Sequence, residues 1–189
     1  MPKESVLIAP AFLDRDTCER IREAMDAGDA EPAEILEEQI ALAPDHRCAA
    51  HVEVDAATLD LVERLLDAAR PRIEAHFGVS LGDREGPSLL RYEQGGFFGP
   101  HRDRGTLPSW PAAARRRVSI VVFLSSSSEV ESSGTFEGGT LRFHPDDAAR
   151  LPVDVPARAR TLVAFPADLI HEVTPVARGV RDVIVDWFY

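Results

Sequence analysis

From Ser88 onward the chain breaks into short runs rich in β-branched and aromatic residues: 88–92, 117–124, 140–143, 161–165, 171–176 and 181–188. Clusters of Gly, Pro, Ser and Asp separate them, a pattern that favours an antiparallel sandwich or barrel over βαβ units. The earlier part reads differently. Residues 5–8 can open as a strand, and Asp16 can cap a helix with Glu19 reaching back to it, so that Cys18, Ile21 and Met25 share a face until Gly28 ends the run. A second helix is expected after Asp55 with Leu59, Val62, Leu65 and Leu66 inward, kinked or restarted at Pro71 before Ile73, Phe77 and Gly78. Both helices need a surface to cover.

A length of 189 residues suits one domain. Its expected parts are a helical support layer over 1–80 and a β core over 87–189. Ser125–Ser128 and Ser132–Gly134 form the one low-complexity stretch, read as a hairpin loop. No apolar run approaches the roughly 20 residues that cross a membrane, and the start shows no signal-peptide core, so a soluble cytoplasmic protein is expected. Cys18 and Cys48 lack a redox or zinc spacing and read as reduced thiols.

The formal net charge is -11. Residues 1–80 carry 18 Asp/Glu against 8 Lys/Arg and the remainder 14 against 13, so the acidity belongs to the helical part. Such a field opposes a phosphate backbone, and no nucleic-acid partner is expected. Lys3 is the only lysine, so Arg115-Arg116-Arg117 follows a general arginine bias rather than marking a phosphate site.

Within the β-rich part, His101 and Asp103 form an H-x-D pair after a Gly-rich stretch, and His171 follows several strands later. Two imidazoles and a carboxylate can occupy one face of a metal octahedron and leave the other open, the ligand set of non-haem Fe(II) oxygenases. The bare dyad is weak, because His51-Val52-Glu53 and His144-Pro145-Asp146 fit it too. His101 differs in following the glycine-punctuated 95–100 loop and in having a distant third ligand. His51, in the helical half, and His144, in a turn, read as structural or surface residues. Along the last strand, alternation places Arg181 with Val183, Val185 and Trp187 on one face. An arginine heading an apolar face wants a fixed anion, and His171 lies ten residues earlier on what reads as the adjoining strand.

The ordered series Arg91-Tyr92, Gly95, His101, Asp103, 117–124, 136–143, Phe165-Pro166, 171–176 and Gly179 to Trp187 resembles the Fe(II)/2-oxoglutarate-dependent dioxygenases, within them the prolyl 4-hydroxylase-like group. The resemblance implies a mainly β fold, a double-stranded β-helix or jelly roll supported by N-terminal helices. By position, it implies that His101, Asp103 and His171 hold Fe(II). Arg181 would pair with the distal carboxylate of 2-oxoglutarate, and Tyr92 and Ser119 would add hydroxyls to the cosubstrate site. It further implies O2 as co-reactant, ascorbate as accessory reductant, and oxidative decarboxylation coupled to C–H hydroxylation. Asp103 fills the carboxylate position, so hydroxylation rather than halogenation is expected.

Two other readings compete. A Zn(II) hydrolase could use the same three ligands but leaves Arg181 without a role, and a non-catalytic β-sandwich binding module would need a closed site. The expected substrate is a prolyl residue of a peptide or protein, with a free amino acid or small metabolite as the alternative. A peptide needs an open groove along 95–100 and 104–114, where Trp110 belongs either to a lid or to a pinned surface loop. A free amino acid needs a closed pocket, for which Arg102, Arg104 or Arg116 and Glu93 or Glu137 could neutralise the termini.

Overall fold

Six consecutive residues, Val118–Phe123, are all buried, and their alternation divides the protein into two cores. Val118, Ile120 and Val122 pack toward two helices, while Val121 and Phe123 pack toward a second sheet. The coordinates are a computed structural model, which describes residues 6–33, 35–36, 40–41, 45–106, 110–130, 132–145 and 151–189. The start of the chain, the expected turn at Asp146 and the middle of the 104–114 loop lie outside the described residues.

The larger sheet is antiparallel, in the order Leu7–Ala9, Thr161–Pro166, Val118–Phe123, Arg181–Phe188, Ser88–Tyr92, Ala50–Val52, Ala30–Pro32. The smaller runs Val153–Val155, Leu141–Phe143, His171–Val173, Phe97–His101, Arg47–Cys48. Thr135–Gly138 and Val176–Gly179 pair beside them. Two facing antiparallel sheets with connections passing between them form the expected jelly roll, with Tyr92, Phe136, Leu141, Phe143, Phe165 and Val183 buried between them.

Helix α1 (Arg15–Ala27) and helix α2 (Ala56–Phe77) cover the outer face of the larger sheet with Ile21, Met25, Val62, Leu66 and Ile73. The cap of α1 is Asp14, not Asp16: its carboxylate accepts from both the backbone N–H and the hydroxyl of Thr17, at 2.7 and 2.9 Å. Gly28 does end α1, but with an extended backbone; a Cβ there would lie 1.9 Å from the Glu53 carbonyl oxygen, so close approach of two backbones is what demands glycine. Helix α2 continues through Pro71 as one element of 22 residues. No helix among the described residues is long and apolar enough to cross a membrane.

Three further expectations change. Phe97–His101, read as a loop from its glycine and proline, is a strand. A register shift lets Gly99 and Pro100 bulge opposite Glu172, where the missing N–H of proline breaks no ladder. The part before Ser88 is more than helical support, because it adds strands to both sheets, and His51 lies on one of them, Ala50–Val52, one in from the edge. The expected 171–176 strand stops at Val173 and resumes at Val176 in a different sheet.

Candidate active site

Strand pairing places His171 directly opposite His101, and the bulge carries the chain on to Asp103. One ligand atom from each of the three side chains lies within 4.8 Å of the others. Each imidazole donates Nδ1–H to the carbonyl two residues before it: His101 to Gly99 at 2.8 Å, His171 to Leu169 at 2.9 Å. A carbonyl can only accept, so in a neutral ring Nε2 carries the lone pair, and each Nε2 lies 3.5 Å from a different oxygen of Asp103.

The protonation states suit a divalent cation. Burial pushes the Asp103 carboxyl up, but the two histidines and a 2.6 Å hydrogen bond from the Ser119 hydroxyl outweigh it and hold the group well below the usual carboxylate range. Burial pushes His171 down to about 4, against the pull of Asp103, so it stands neutral at pH 7. Metal binding needs a charged carboxylate and neutral imidazoles.

Across the core, Arg181 heads its strand opposite Tyr92, its guanidinium 4.9 Å from the centre of the Tyr92 ring and 5.4 Å from that of Phe123. It is 1% exposed, and its Nε and one terminal nitrogen have no hydrogen-bond partner. Burial pushes its pKa down, against the opposing pull of Tyr92 and Asp182. Gly139 makes room for it: with φ of 55°, it lies where a Cβ would meet the arginine's Cδ at 3.0 Å. A cavity of about 70 Å³ joins Arg181 and Tyr92 to His101, Asp103 and His171. Arg181 and His171 belong to facing sheets, not adjoining strands, so they approach the cavity from opposite walls.

A larger cleft of about 540 Å³ opens beside His101 and Asp103, walled by Leu90, Phe98, Trp110, Arg116 and Trp187. Glu85 accepts both from Arg116, through Nε at 2.7 Å, and from the Trp110 indole N–H at 3.0 Å. Arg116 also donates to the Asp103 carbonyl at 3.0 Å and stacks on Trp187 at 3.8 Å. Trp110 is thus pinned at the cleft wall.

The other expected residues fall into place or out of it. Ser119 shares a face with Val121 and Phe123, yet its hydroxyl serves Asp103 rather than Arg181. His144 bonds Glu172 at 3.1 Å, outside the triad. Arg104, Glu93 and Glu137 do not line the cleft, and Glu137 pairs with Arg178 at 3.3 Å. Sequence reasoning missed Glu85, Arg47 and His46 in the cleft wall, and took His51, also there, for a helical-half residue. No local pattern marks them, since each reaches the cleft by strand pairing or by a loop far from the H-x-D pair.

The family model of the 2OG-Fe(II) oxygenase superfamily matches residues 87–189, more than half of the chain, and the chain belongs to that superfamily. Its cofactors are Fe(II), 2-oxoglutarate and O2. A PKHD-type hydroxylase of Burkholderia ambifaria is 34% identical over 123 residues, which cover 64% of this chain and 50% of that protein. One from a Synechococcus strain is 30% identical over 99 residues, covering 51% and 39% respectively. The chain therefore spans about half or less of these relatives.

Among solved structures, a Pseudomonas putida prolyl-4-hydroxylase matches with a TM-score of 0.74 at 24% identity, covering 98% of this chain and 92% of that one. A Trichoplax adhaerens prolyl hydroxylase, solved with a peptide of the hypoxia inducible factor oxygen degradation domain, matches with a TM-score of 0.77 at 17% identity, covering 99% and 84%. Both share the fold.

Proposed function

We propose that this chain is an Fe(II)- and 2-oxoglutarate-dependent hydroxylase acting on a prolyl residue of a peptide or protein, with residues 1–189 working as one oxygenase domain. The observation that carries the reading is Arg181: a buried cation with unsatisfied donors, aimed through a small cavity at an open His-Asp-His triad. Leaving it unpaired costs several kcal/mol, which a dicarboxylate ligand recovers through charge-assisted hydrogen bonds. A Zn(II) hydrolase offers no such anion.

In this reading His101, Asp103 and His171 hold the iron, and Arg181 receives the distal carboxylate of the keto acid. Tyr92, on the cavity wall beneath the guanidinium, orients that carboxylate, while Ser119 holds the Asp103 carboxylate in its ligating rotamer. With dioxygen, the iron and keto acid supply oxidative decarboxylation to succinate and carbon dioxide, coupled to hydroxylation of an unactivated C–H bond. The protein's share is geometry and dryness: apolar Leu90, Val183 and Val185 line the cavity and limit water.

The cleft favours a polypeptide over a free amino acid. It is open and walled by aromatic rings, and Glu85 in its wall is already held by Arg116 and Trp110. An uncharged peptide segment fits such a wall better than a zwitterion, which needs two free counter-charges. The peptide bound to the Trichoplax neighbour points the same way. Two free cysteines, Cys18 buried and Cys48 exposed, agree with a reducing compartment such as the cytoplasm. The test is to incubate iron-loaded protein with 2-oxoglutarate, ascorbate and either proline-containing peptides or free amino acids, and to follow succinate and added oxygen by mass spectrometry. Peptide hydroxylation coupled to succinate is expected; hydroxylation of a free amino acid alone would overturn the substrate assignment.

A further inference from the structure

The two histidines of the triad make the same hydrogen bond but are held in different ways. An imidazole tied only at Nδ1 can still swing about that bond, so something else must set the plane in which Nε2 points. For His171 the core does so: the ring is buried, with the edge of Phe165 at 4.7 Å and 66° and Phe143 beyond it at 6.2 Å. His101 faces the cleft and has fewer ring neighbours: the tilted His171 ring at 4.2 Å and Phe98. Its ring lies flat against Phe98, with centroids 3.6 Å apart and planes 15° apart.

Phe98 is itself only half-buried, and its position depends on an edge strand from the first quarter of the chain. Arg47 pairs in register with Phe98, and its guanidinium carbon lies 4.7 Å from the Phe98 ring centre. The His46 ring meets the same phenyl edge-on, at 5.6 Å and 88°. Arg47 and Phe98 also border both the inner cavity and the outer cleft. Arg47 lies outside the 87–189 segment that the family model matches.

We propose that Phe98 and Arg47 are positioning residues of the metal centre: Phe98 sets the plane of the His101 imidazole, and Arg47 pins Phe98 in that place. The physical basis is additive. A cation over an aromatic face is held by the ring's quadrupole, and a flat stack permits an imidazole to slide but not to tilt. Residues that orient a metal ligand without touching the metal alter affinity because the unbound ligand otherwise samples non-binding orientations. The inference rests on the iron reading given above, and the experiment separates the two.

Wild-type protein, Phe98→Leu, Arg47→Met and Arg47→Lys are each titrated with Co(II), an absorbing stand-in for Fe(II), by competition with a chromophoric chelator. Their visible ligand-field spectra are then recorded with saturating 2-oxoglutarate, and the thermal melting of each apoprotein is measured. Phe98→Leu keeps an apolar side chain but loses the plane; it is expected to weaken Co(II) binding on the order of 10- to 100-fold and to shift the ligand-field bands. Arg47→Met keeps the stem and loses the charge, with a smaller change of the same sign that Arg47→Lys partly reverses. Apoprotein melting should not follow this ranking. Wild-type affinity and bands in both Phe98→Leu and Arg47→Met would overturn the positioning role and leave the iron reading intact. A wild-type protein that binds neither Co(II) nor 2-oxoglutarate would overturn both.

Discussion

The strand Arg181–Phe188 carries buried charge on both of its faces, and the two faces treat it in opposite ways. Toward the helices, Asp182 takes two donors of Arg91 at 2.8 and 2.9 Å, and Arg91 reaches on to Asp26 at 2.6 Å. Asp186 is bonded there by Arg84 and by the Gly86 N–H. Toward the second sheet, Arg181 keeps unsatisfied donors. The hydrogen bond it donates to Asp182 raises the pKa of Arg91, whereas burial lowers that of Arg181. Charge that serves the fold is neutralised within it; the charge of Arg181 is not, and in the proposed reading it waits for a ligand.

Breaking the triad should have the largest effect. His101→Ala, Asp103→Ala and His171→Ala are each expected to abolish 2-oxoglutarate-dependent turnover while far-UV circular dichroism stays native, whereas His51→Ala and His144→Ala leave turnover largely intact. Activity that survives in His171→Ala and disappears in His144→Ala would contradict the ligand assignment.

The paired face comes next. Asp182→Ala leaves Arg91 with one solvent-exposed partner and should cost about 3–5 kcal/mol in urea unfolding. Turnover per folded molecule should be retained, which separates this residue from the site. On the unpaired face, Arg181→Ala should weaken 2-oxoglutarate binding by about 2–5 kcal/mol, measured calorimetrically on metal-loaded protein. Its urea stability should be unchanged or higher, because an uncompensated buried charge has gone. Lysine should rescue only partly, lacking the planar fork. A stability loss in Arg181→Ala matching that of Asp182→Ala would erase the distinction between the faces.

A smaller effect tests whether the site is held neutral for metal. His171 has a pKa of about 4 in the fold against an unperturbed 6.5, so below the latter the unfolded chain takes up a proton that the folded one refuses. Apoprotein stability should therefore fall as pH drops from about 6.5 to about 4, by up to roughly 3 kcal/mol in total. Replacement by Gln should flatten that window in urea titrations at stepped pH.

Much of this site was legible because it is local. The H-x-D spacing, the apolar runs after Ser88 and the alternation that groups Arg181 with Val183, Val185 and Trp187 depend on residues a few positions apart. The helix faces of Cys18, Ile21 and Met25 and of Val62 and Leu66 were legible for the same reason. Capping was harder: Asp14 and Asp16 are both competent, and the Thr17 hydroxyl, not the Glu19 side chain, decided between them. The strand Phe97–His101 was hidden because glycine and proline argue against strands unless a bulge absorbs them.

Local periodicity determined that the chain would build an antiparallel β fold with helices on one side and a histidine–carboxylate pair at a strand end. What pairs with what was decided only in three dimensions. Ser119 meets Asp103 across 16 positions, Arg116 meets Glu85 across 31, and Arg47 lies on Phe98 from an edge strand that its own sequence does not announce. Side-chain alternation assigns a residue to a face of its strand, but register and sheet-to-sheet packing assign its neighbour. Both are set by burial of the whole core, so Arg181 could be read as a buried cation from its strand alone, and its line of approach to the triad only from the facing sheet.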